Sequence, residues 1–576
     1  MGKEDKLAAN EGIKERSRFL RGTIADGLAD VATGGMSADD QQLLKFHGTY
    51  QQDDRDLRAE RRKHKLEKAF SFMIRIRVPG GVATAKQWLE MDRMASQFGN
   101  ETFKLTTRQA FQLHGVIKTN LKRTIREINE AAMDSIAACG DVNRNVMCNP
   151  NPEASAIHPE VQAVAQAISD HLTPRTRAYH EIWLDGEKVV SSEEEEEPIY
   201  GKTYLPRKFK ITIAVPPSND VDVHANDLSF VAIANGRGLE GFNVLVGGGM
   251  GMTHGQEDTY PRTADVIGFV PVGKVVDVAE KVVIVQKEFG DRRKRKHARL
   301  KYTIDDHGVD WFRNEVESRL GYKLDPPREY VFTGNGDRFG WSDNDDGTGN
   351  YTLFVQGGRV LDNGHHTLRS ALRTVAEEIG CEFRLTPNQN VTLAKVAAGD
   401  RARLEELLAA AGHSRPEDLS ALRLHSIACV ALPTCGLALA EAERFLPDVL
   451  TNLEEVMEEA GLRHDAITIR MTGCPNGCAR PYLAEIAFVG RGPGKYNLYL
   501  GGSFAGDRLN KLYRASVQSA EITEVLAPVI RDYAQNRTEG ERFGDFVIRQ
   551  GYVKETTEGR DFHAGVDLPA PAGSGA

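Results

Sequence analysis

The sequence of 576 residues is notable first for what is missing. No apolar run approaches the length that crosses a bilayer, so no membrane-spanning helix is expected. The opening MGKEDKLAANEGIKERSRFL has no apolar core of the kind that marks a secretory signal. Lys6 stands where a myristoylation motif after Met1-Gly2 needs Ser or Thr. A cytoplasmic location without a membrane partner is expected. An excess of positive charge is missing too: 73 Lys and Arg face 82 Asp and Glu, a net charge of −9. That gives no general electrostatic case for nucleic acid. Cysteine is scarce, at seven residues, too few for a disulfide scaffold in a chain this long. Gly-rich phosphate loops are also absent in convincing form. VGGGMG (246–251) and GNGDRFG (334–340) do not fit a strand–GxGxxG–helix unit followed by an acidic residue. This disfavours a nucleotide-binding dehydrogenase, and electrons for any redox chemistry must come from another protein.

What is present begins with length, which exceeds a single hydrophobic core and predicts about three domains. Residues 1–64 are polar and read as an arm that lies over the body or docks a partner. Residues 566–576 carry the Pro, Gly and Ala of a disordered tail. Between them the sequence repeats. Val78-Pro79-Gly80-Gly81 is echoed by Val355-Gln356-Gly357-Gly358, and Phe103-Lys104-Leu105-Thr106 with Gln109 by Phe383-Arg384-Leu385-Thr386 with Gln389. Helical patterns follow at Ala85–Phe98, Leu121–Ile136, Thr367–Ile379 and Asp400–Ala411, and Phe72, Ile74 and Ile76 alternate as in a strand. An Arg-x-x-x-Cys pair also recurs, at Arg144/Cys148 and Arg470/Cys474. Two related halves about a pseudo-two-fold axis leave a cleft suited to a large cofactor. Two charge runs, Ser191 to Glu197 and Arg292 to His297, read as solvated stretches, although Arg299 and Lys301 at the edge of the second are candidates to face an anion.

The chemistry concentrates in four of the seven cysteines. Cys429 and Cys435 are separated by five residues and Cys474 and Cys478 by three, with thirty-eight between the pairs. Four thiolates in two close pairs enclose either a tetrahedral zinc or a cluster. Gaps of five and three suit a bulkier object than the C-x2-C knuckles of zinc ribbons. Pro475-Asn476-Gly477 turns the chain sharply and frees backbone N–H groups for sulfur. A redox-sensing scaffold without catalysis is the alternative that uses only these cysteines.

The segments ACVALPTCGLALAEAERFLP (428–447) and MTGCPNGCARPYLAEIAFVG (471–490) resemble the cluster-binding segments of the sirohaem-dependent nitrite and sulfite reductase family. So do FHGTYQQDDRD (46–56), Thr106-Thr107-Arg108-Gln109 with Phe111 to Gly115, NRNVMC (143–148), YLPRKFK (204–210) and NVLVGGGMG (243–251). The likeness covers nearly the whole chain and is nearest to the haemoprotein subunits of NADPH-dependent assimilatory sulfite reductases. It implies an α+β fold of three domains with a pseudo-two-fold core of ferredoxin-like halves. The implied boundaries are 65–137 and 327–412 for the halves, 138–326 for a sirohaem and substrate domain, and 413–565 for a cluster and sirohaem domain. It implies a 4Fe-4S cluster on Cys429, Cys435, Cys474 and Cys478, with Cys478 also the proximal ligand of the sirohaem iron. Arg75, Arg144, Lys208 and Lys210 correspond to the family's substrate cations, and Lys104, Arg108, Gln112, His114 and Asn476 to its sirohaem contacts. At Lys104 the family more often has Arg, so the charge is kept and the bidentate fork lost. The Gly247-Gly248-Gly249 turn is expected to let backbone approach the macrocycle. The implied activity is six-electron reduction of sulfite to sulfide, supplying cysteine biosynthesis. The implied donor is a flavoprotein carrying FAD and FMN that draws on NADPH, with ferredoxin as the alternative donor. Nitrite reduction is the sister activity; Lys210 and the FHGTYQQDDRD arm favour sulfite.

Overall fold

Alternation sets the first sheet. Phe72, Ile74 and Ile76 are fully buried while Ser71, Arg75 and Arg77 keep some exposure, so Phe70–Ile76 is a strand with one wholly apolar face. The computed structural model describes residues 6–175, 181–184, 187–191, 197–236 and 238–565. Strand Phe70–Ile76 pairs antiparallel with Thr49–Asp53 and with Phe111–Val116, and Phe103–Leu105 follows. The fifth strand of this sheet, Arg359–Val360, comes from the second copy. The second sheet, of Gly340–Asp343, Gly349–Leu353, Val391–Val396 and Glu382–Leu385, is completed in the same way by Val82–Ala83 of the first copy.

The repeated Val-x-Gly-Gly turns make this exchange possible. Gly80 and Gly81 have φ of 62° and 82°, and Gly357 and Gly358 of 58° and 71°. A Cβ on Gly81 would fall 2.4 Å from the Leu385 carbonyl, and one on Gly358 2.2 Å from that of Leu105. Left-handed backbone and contact with the partner sheet together demand glycine. Helices Ala85–Gln97 and Leu368–Glu378 follow the turns, the first closed by a Thr84/Gln87 capping box. The helix expected to run to Ile136 ends at Glu130. Ala132 is left-handed (φ 54°), and the chain then turns so that Asp134 bridges Arg77.

The duplication extends beyond the ferredoxin-like halves. Strands Ile211–Ala214, Leu228–Asn235, Gly238–Val246 and Asp265–Pro271 pair parallel, antiparallel, antiparallel, and helix Val275–Phe289 follows. Ser426–Ala428, Ile469–Thr472, Ile486–Gly492, Lys495–Leu500 and Lys511–Gln518 repeat that order behind one further parallel strand, followed by helix Ile522–Asn536. In the first copy, Asn143 to Met147 takes the place of the extra strand through parallel bridges to Phe209 and Thr212. Asp227 and Glu485 occupy matching places and accept the backbone N–H of Lys210 (3.0 Å) and Thr468 (2.9 Å). Gln109 and Gln389 likewise accept from the backbone of Cys148 and Ala428. By this register Arg144 lies in the stretch equivalent to the extra strand Ser426–Ala428, whereas Arg470 lies in the next strand, Ile469–Thr472. The Arg-x-x-x-Cys recurrence is therefore not part of the duplication.

The polar N-terminal segment lies over the body: Ile13, Leu20, Ile24, Leu43, Leu44 and Phe46 join the main core. Thr49–Asp53, inside the expected arm, is an edge strand of the first sheet. The run Arg292 to His297 is not simply solvated. Arg292 pairs with Glu11, Arg295 grips Asp141 through both oxygens at 2.8 and 2.9 Å, and Lys294 pairs with Asp258. Of the acidic run, Ser192 to Glu196 lies outside the described residues, as does the tail from 566, while Glu197 is buried. Among the described residues no helix is long and apolar enough to cross a membrane.

Candidate active site

Two neighbouring parallel strands end at the same edge of the last sheet, and each delivers one cysteine pair. Cys429 follows Ser426–Ala428, with Cys435 one turn on; Cys474 and Cys478 follow Ile469–Thr472. Ligand sites gather at the carboxyl ends of parallel strands. The Cys429 N–H is fixed by the Met471 carbonyl at 3.1 Å. The N–H of Gly473 donates to Cys429 Sγ at 3.3 Å, and Asn476 Nδ2 to Cys474 Sγ at 3.5 Å. Cys435 receives the backbone N–H groups of Leu437 and Ala438. Burial, then mutual repulsion among the four, pushes the Cys429 thiol far up and the Cys474 thiol up to about 12. Thiols so placed ionise when a metal centre neutralises them. Among the described residues no three metal-ligating side chains converge on a single ion position. The donors are all sulfur, with N–H groups aimed at Cys429, Cys435 and Cys474, and this set fits an iron–sulfur cluster.

Cys478 alone among the four is exposed. The charge of Cys429 acts on Lys104, and that of Cys478 acts on Arg75, Lys208 and Lys210. Burial, reinforced by Arg207 and Arg299, brings Lys208 down to about 7, and burial with Arg108 and Lys208 takes Lys210 well below its usual range. Burial and Arg144 bring Arg108 down to about 9. Arg144 donates to the Gly140 carbonyl through Nε (3.1 Å) and Nη2 (2.8 Å). Arg108 donates to the carbonyl of Asn145 (2.6 Å) and to Asn226 Oδ1 (2.9 Å). The nearby carboxylate, Asp227, is taken up by Arg299 through both of its oxygens at 2.8 Å. Among the described residues no carboxylate forms an ion pair with Arg75, Arg108, Arg144, Lys208, Lys210 or Lys301. Buried cations without a carboxylate partner, with Arg108, Lys208, Lys210 and Lys301 all held below their usual range, are completed by a polyanion. The carboxylates of sirohaem and an oxyanion substrate fit that requirement.

The remaining expected residues fall in two places. Gln112 lies against Arg75, and Asn476 against Cys474. Lys104 and His114 sit behind them: Lys104 is 2% exposed and its ammonium is held by Glu443 and by the Gly357 carbonyl. His114 is equally buried, its Nδ1 has no partner, and burial holds it well below the usual histidine range. The three glycines at 247–249 admit protein rather than leaving empty space. A Cβ on Gly248 would strike the His224 and Asn226 carbonyls at 2.3 and 2.5 Å, and one on Gly249 would approach Arg299 at 3.0 Å. Sequence reasoning passed over Arg207, which stands in the same YLPRKFK motif, and Cys139 and Tyr50, which bear on Arg75. Lys301 is fully buried and donates to the Gly249 and Gly251 carbonyls at 3.2 and 2.8 Å.

The chain matches the family model for the nitrite/sulfite reductase ferredoxin-like half domain at residues 64–131 and 343–411. It matches that for the nitrite and sulphite reductase 4Fe-4S domain at 163–324, the copy of the larger sheet that lacks the four cysteines. A protein of Staphylococcus saprophyticus named "Sulfite reductase [NADPH] hemoprotein beta-component" is 58% identical over 97% of this chain and 98% of its own. One of the same name from Geobacillus kaustophilus is 57% identical over 96% and 97%. The solved structure of the Mycobacterium tuberculosis NirA protein superposes with a TM-score of 0.78 at 26% identity, covering 95% of this chain and 97% of that one. A duplicated ferredoxin-like core, a cysteine quartet at a strand edge and near-complete alignment with these relatives converge on one conclusion: the chain belongs to the nitrite and sulphite reductase family.

Proposed function

We propose that the protein is the haemoprotein component of an NADPH-dependent sulfite reductase, reducing sulfite to sulfide with six electrons. The observation that carries the reading is the cysteine quartet at the carboxyl ends of two neighbouring parallel strands, with the exposed Cys478 close enough to Arg75, Lys208 and Lys210 for its charge to act on them. Cys429, Cys435, Cys474 and Cys478 would hold a 4Fe-4S cluster, with Cys478 shared with the iron of sirohaem. Together these groups supply electrons and an open iron position for sulfite. The chain's own residues do the rest. Arg75 and Arg144 offer guanidinium N–H groups to the oxyanion. Lys208, at about 7, gives up a proton readily to a departing oxygen, and Lys210 is suited to the same task. Breaking each S–O bond releases water and consumes protons, which two poised ammonium groups beside the anion deliver. Arg108, Gln112 and Asn476 are assigned to the sirohaem periphery, with Lys104 and His114 as the layer behind.

The donor we infer is a flavoprotein with FAD and FMN that uses NADPH, by analogy with the relatives' name; ferredoxin is the second reading. Its landing surface is inferred where Arg55 of the N-terminal segment donates to the carbonyls of Cys435 and Ala438. There Leu57 and Leu437 are 46% and 68% exposed, beside the basic helix Arg58–Lys63. The test of the function is the visible spectrum of the purified protein under reducing conditions, before and after sulfite. Sirohaem bands that shift with sulfite are expected. A colourless protein from a host that makes both cofactors would overturn the assignment.

A further inference from the structure

The guanidinium of Arg75 is held on two edges. With the Gln112 amide turned oxygen-first, Oε1 accepts from Nε at 2.9 Å and also from Nη2. On the other edge Nη1 donates to Cys139 Sγ at 2.9 Å. Cys139 is 0% exposed, and the Tyr50 phenol lies beside its sulfur. The next residue continues the theme: the Gly140 carbonyl accepts Nε and Nη2 of Arg144. Gly140 is left-handed at φ 89°, and a Cβ there would meet the Phe46 ring at 2.8 Å. One tight turn thus holds both Arg75 and Arg144, and Arg75 is among the cations that feel Cys478.

We propose that Cys139 is a positioning residue, fixing Arg75 for the anionic substrate from the edge opposite Gln112. The inference rests on the reading above that Arg75 meets sulfite. Its physical sense lies in the choice of sulfur. A guanidinium on a long side chain has many rotamers, and acceptors on two edges select one. A carboxylate in place of the thiol would orient Arg75 as well but would also neutralise it, and would repel the incoming anion. Sulfur is a weak acceptor that directs the N–H without cancelling the charge. Tyr50, from the edge strand Thr49–Asp53, keeps the sulfur from turning away.

The test compares holoenzymes carrying Cys139→Ala, Cys139→Ser, Tyr50→Phe and Arg75→Ala, each first shown by its visible spectrum to be loaded. In Cys139→Ala the KM for sulfite should rise about tenfold with kcat within about twofold, the scale of one lost hydrogen bond to a charged group. Cys139→Ser, whose hydroxyl still accepts, should return KM to within about twofold of the parent. Equal damage in the serine and alanine proteins, or an unchanged KM in the alanine protein, overturns the positioning role. If the alanine protein does not load, Tyr50→Phe decides, since loosening the sulfur should raise KM in the same direction and an unchanged KM refutes the proposal. Arg75→Ala separates the two levels. An unaltered KM there removes the reading of Arg75 as a substrate contact, whereas a raised KM there beside an unaltered one in Cys139→Ala removes only the role of Cys139.

Discussion

Single residues bear the charge imbalance on which the site depends, and the same physics marks a second, acidic place. Asp220 is 3% exposed, its Oδ1 has no partner, and burial followed by the nearby Asp337 raises its carboxyl from 3.8 to about 7. A carboxyl whose folded pKa exceeds its unfolded value penalises the folded state at pH above the unfolded value. The penalty grows up to about pH 7 and is complete beyond it. Asp220→Asn should therefore raise the melting temperature by about 2 °C or more at pH 8 and by nothing measurable below pH 4. A gain of equal size at both pH values would show that ionisation is not its cause. At this scale the sequence was informative where chemistry is carried by residue type. Two neighbouring parallel strands bring the four cysteines to one sheet edge, and Arg75, Lys208 and Lys210 lie near enough to feel the charge of Cys478. Arg207 and Cys139 were not legible, because an arginine beside two lysines and an isolated thiol carry no pattern until the fold supplies their neighbours.

Elements show a different division. The ferredoxin-like halves were visible because their turns need glycine, and glycine leaves a mark in sequence. Gly358 should resist change: left-handed backbone costs about 1–2 kcal/mol for an L side chain, and overlap with the Leu105 carbonyl adds about 1–3 kcal/mol. Gly364 has φ 54° and nothing within 4 Å of a built Cβ, so only the first cost applies. Gly358→Ala should lower the urea midpoint clearly more than Gly364→Ala, and equal losses would mean that the strand exchange adds no constraint. The duplication of the larger sheets escaped notice for the opposite reason. Strands such as Ile211–Ala214 and Ile469–Thr472 are buried on both faces and show no period-two alternation in burial, and the equivalence rests on backbone partners such as Asp227 and Glu485 whose identities differ. The misleading Arg-x-x-x-Cys echo shows the converse, since matching letters fell on strands of different register.

For the whole molecule, a net charge of −9 conceals a centre of opposite sign. Arg75, Arg108, Arg144, Lys208, Lys210 and Lys301 are wholly or partly buried, and none has a carboxylate partner among the described residues. Packing such charges together opposes folding, and whatever anion binds the folded state alone stabilises it by mass action. Protein lacking its cofactors should therefore gain thermal stability from inorganic phosphate beyond what chloride gives at equal ionic strength. The gain should follow RT ln(1 + [L]/Kd), reaching about 2.7 kcal/mol at a hundred times Kd. Removing two of the cations, as in Arg144→Ala with Lys210→Ala, should raise the melting temperature without phosphate and flatten its dependence on phosphate. Both shifts are measured by calorimetry on the same preparations. If the parent responds to phosphate and chloride alike, the cations are screened rather than confined, and the positive centre is not what drives the protein to bind its polyanionic group.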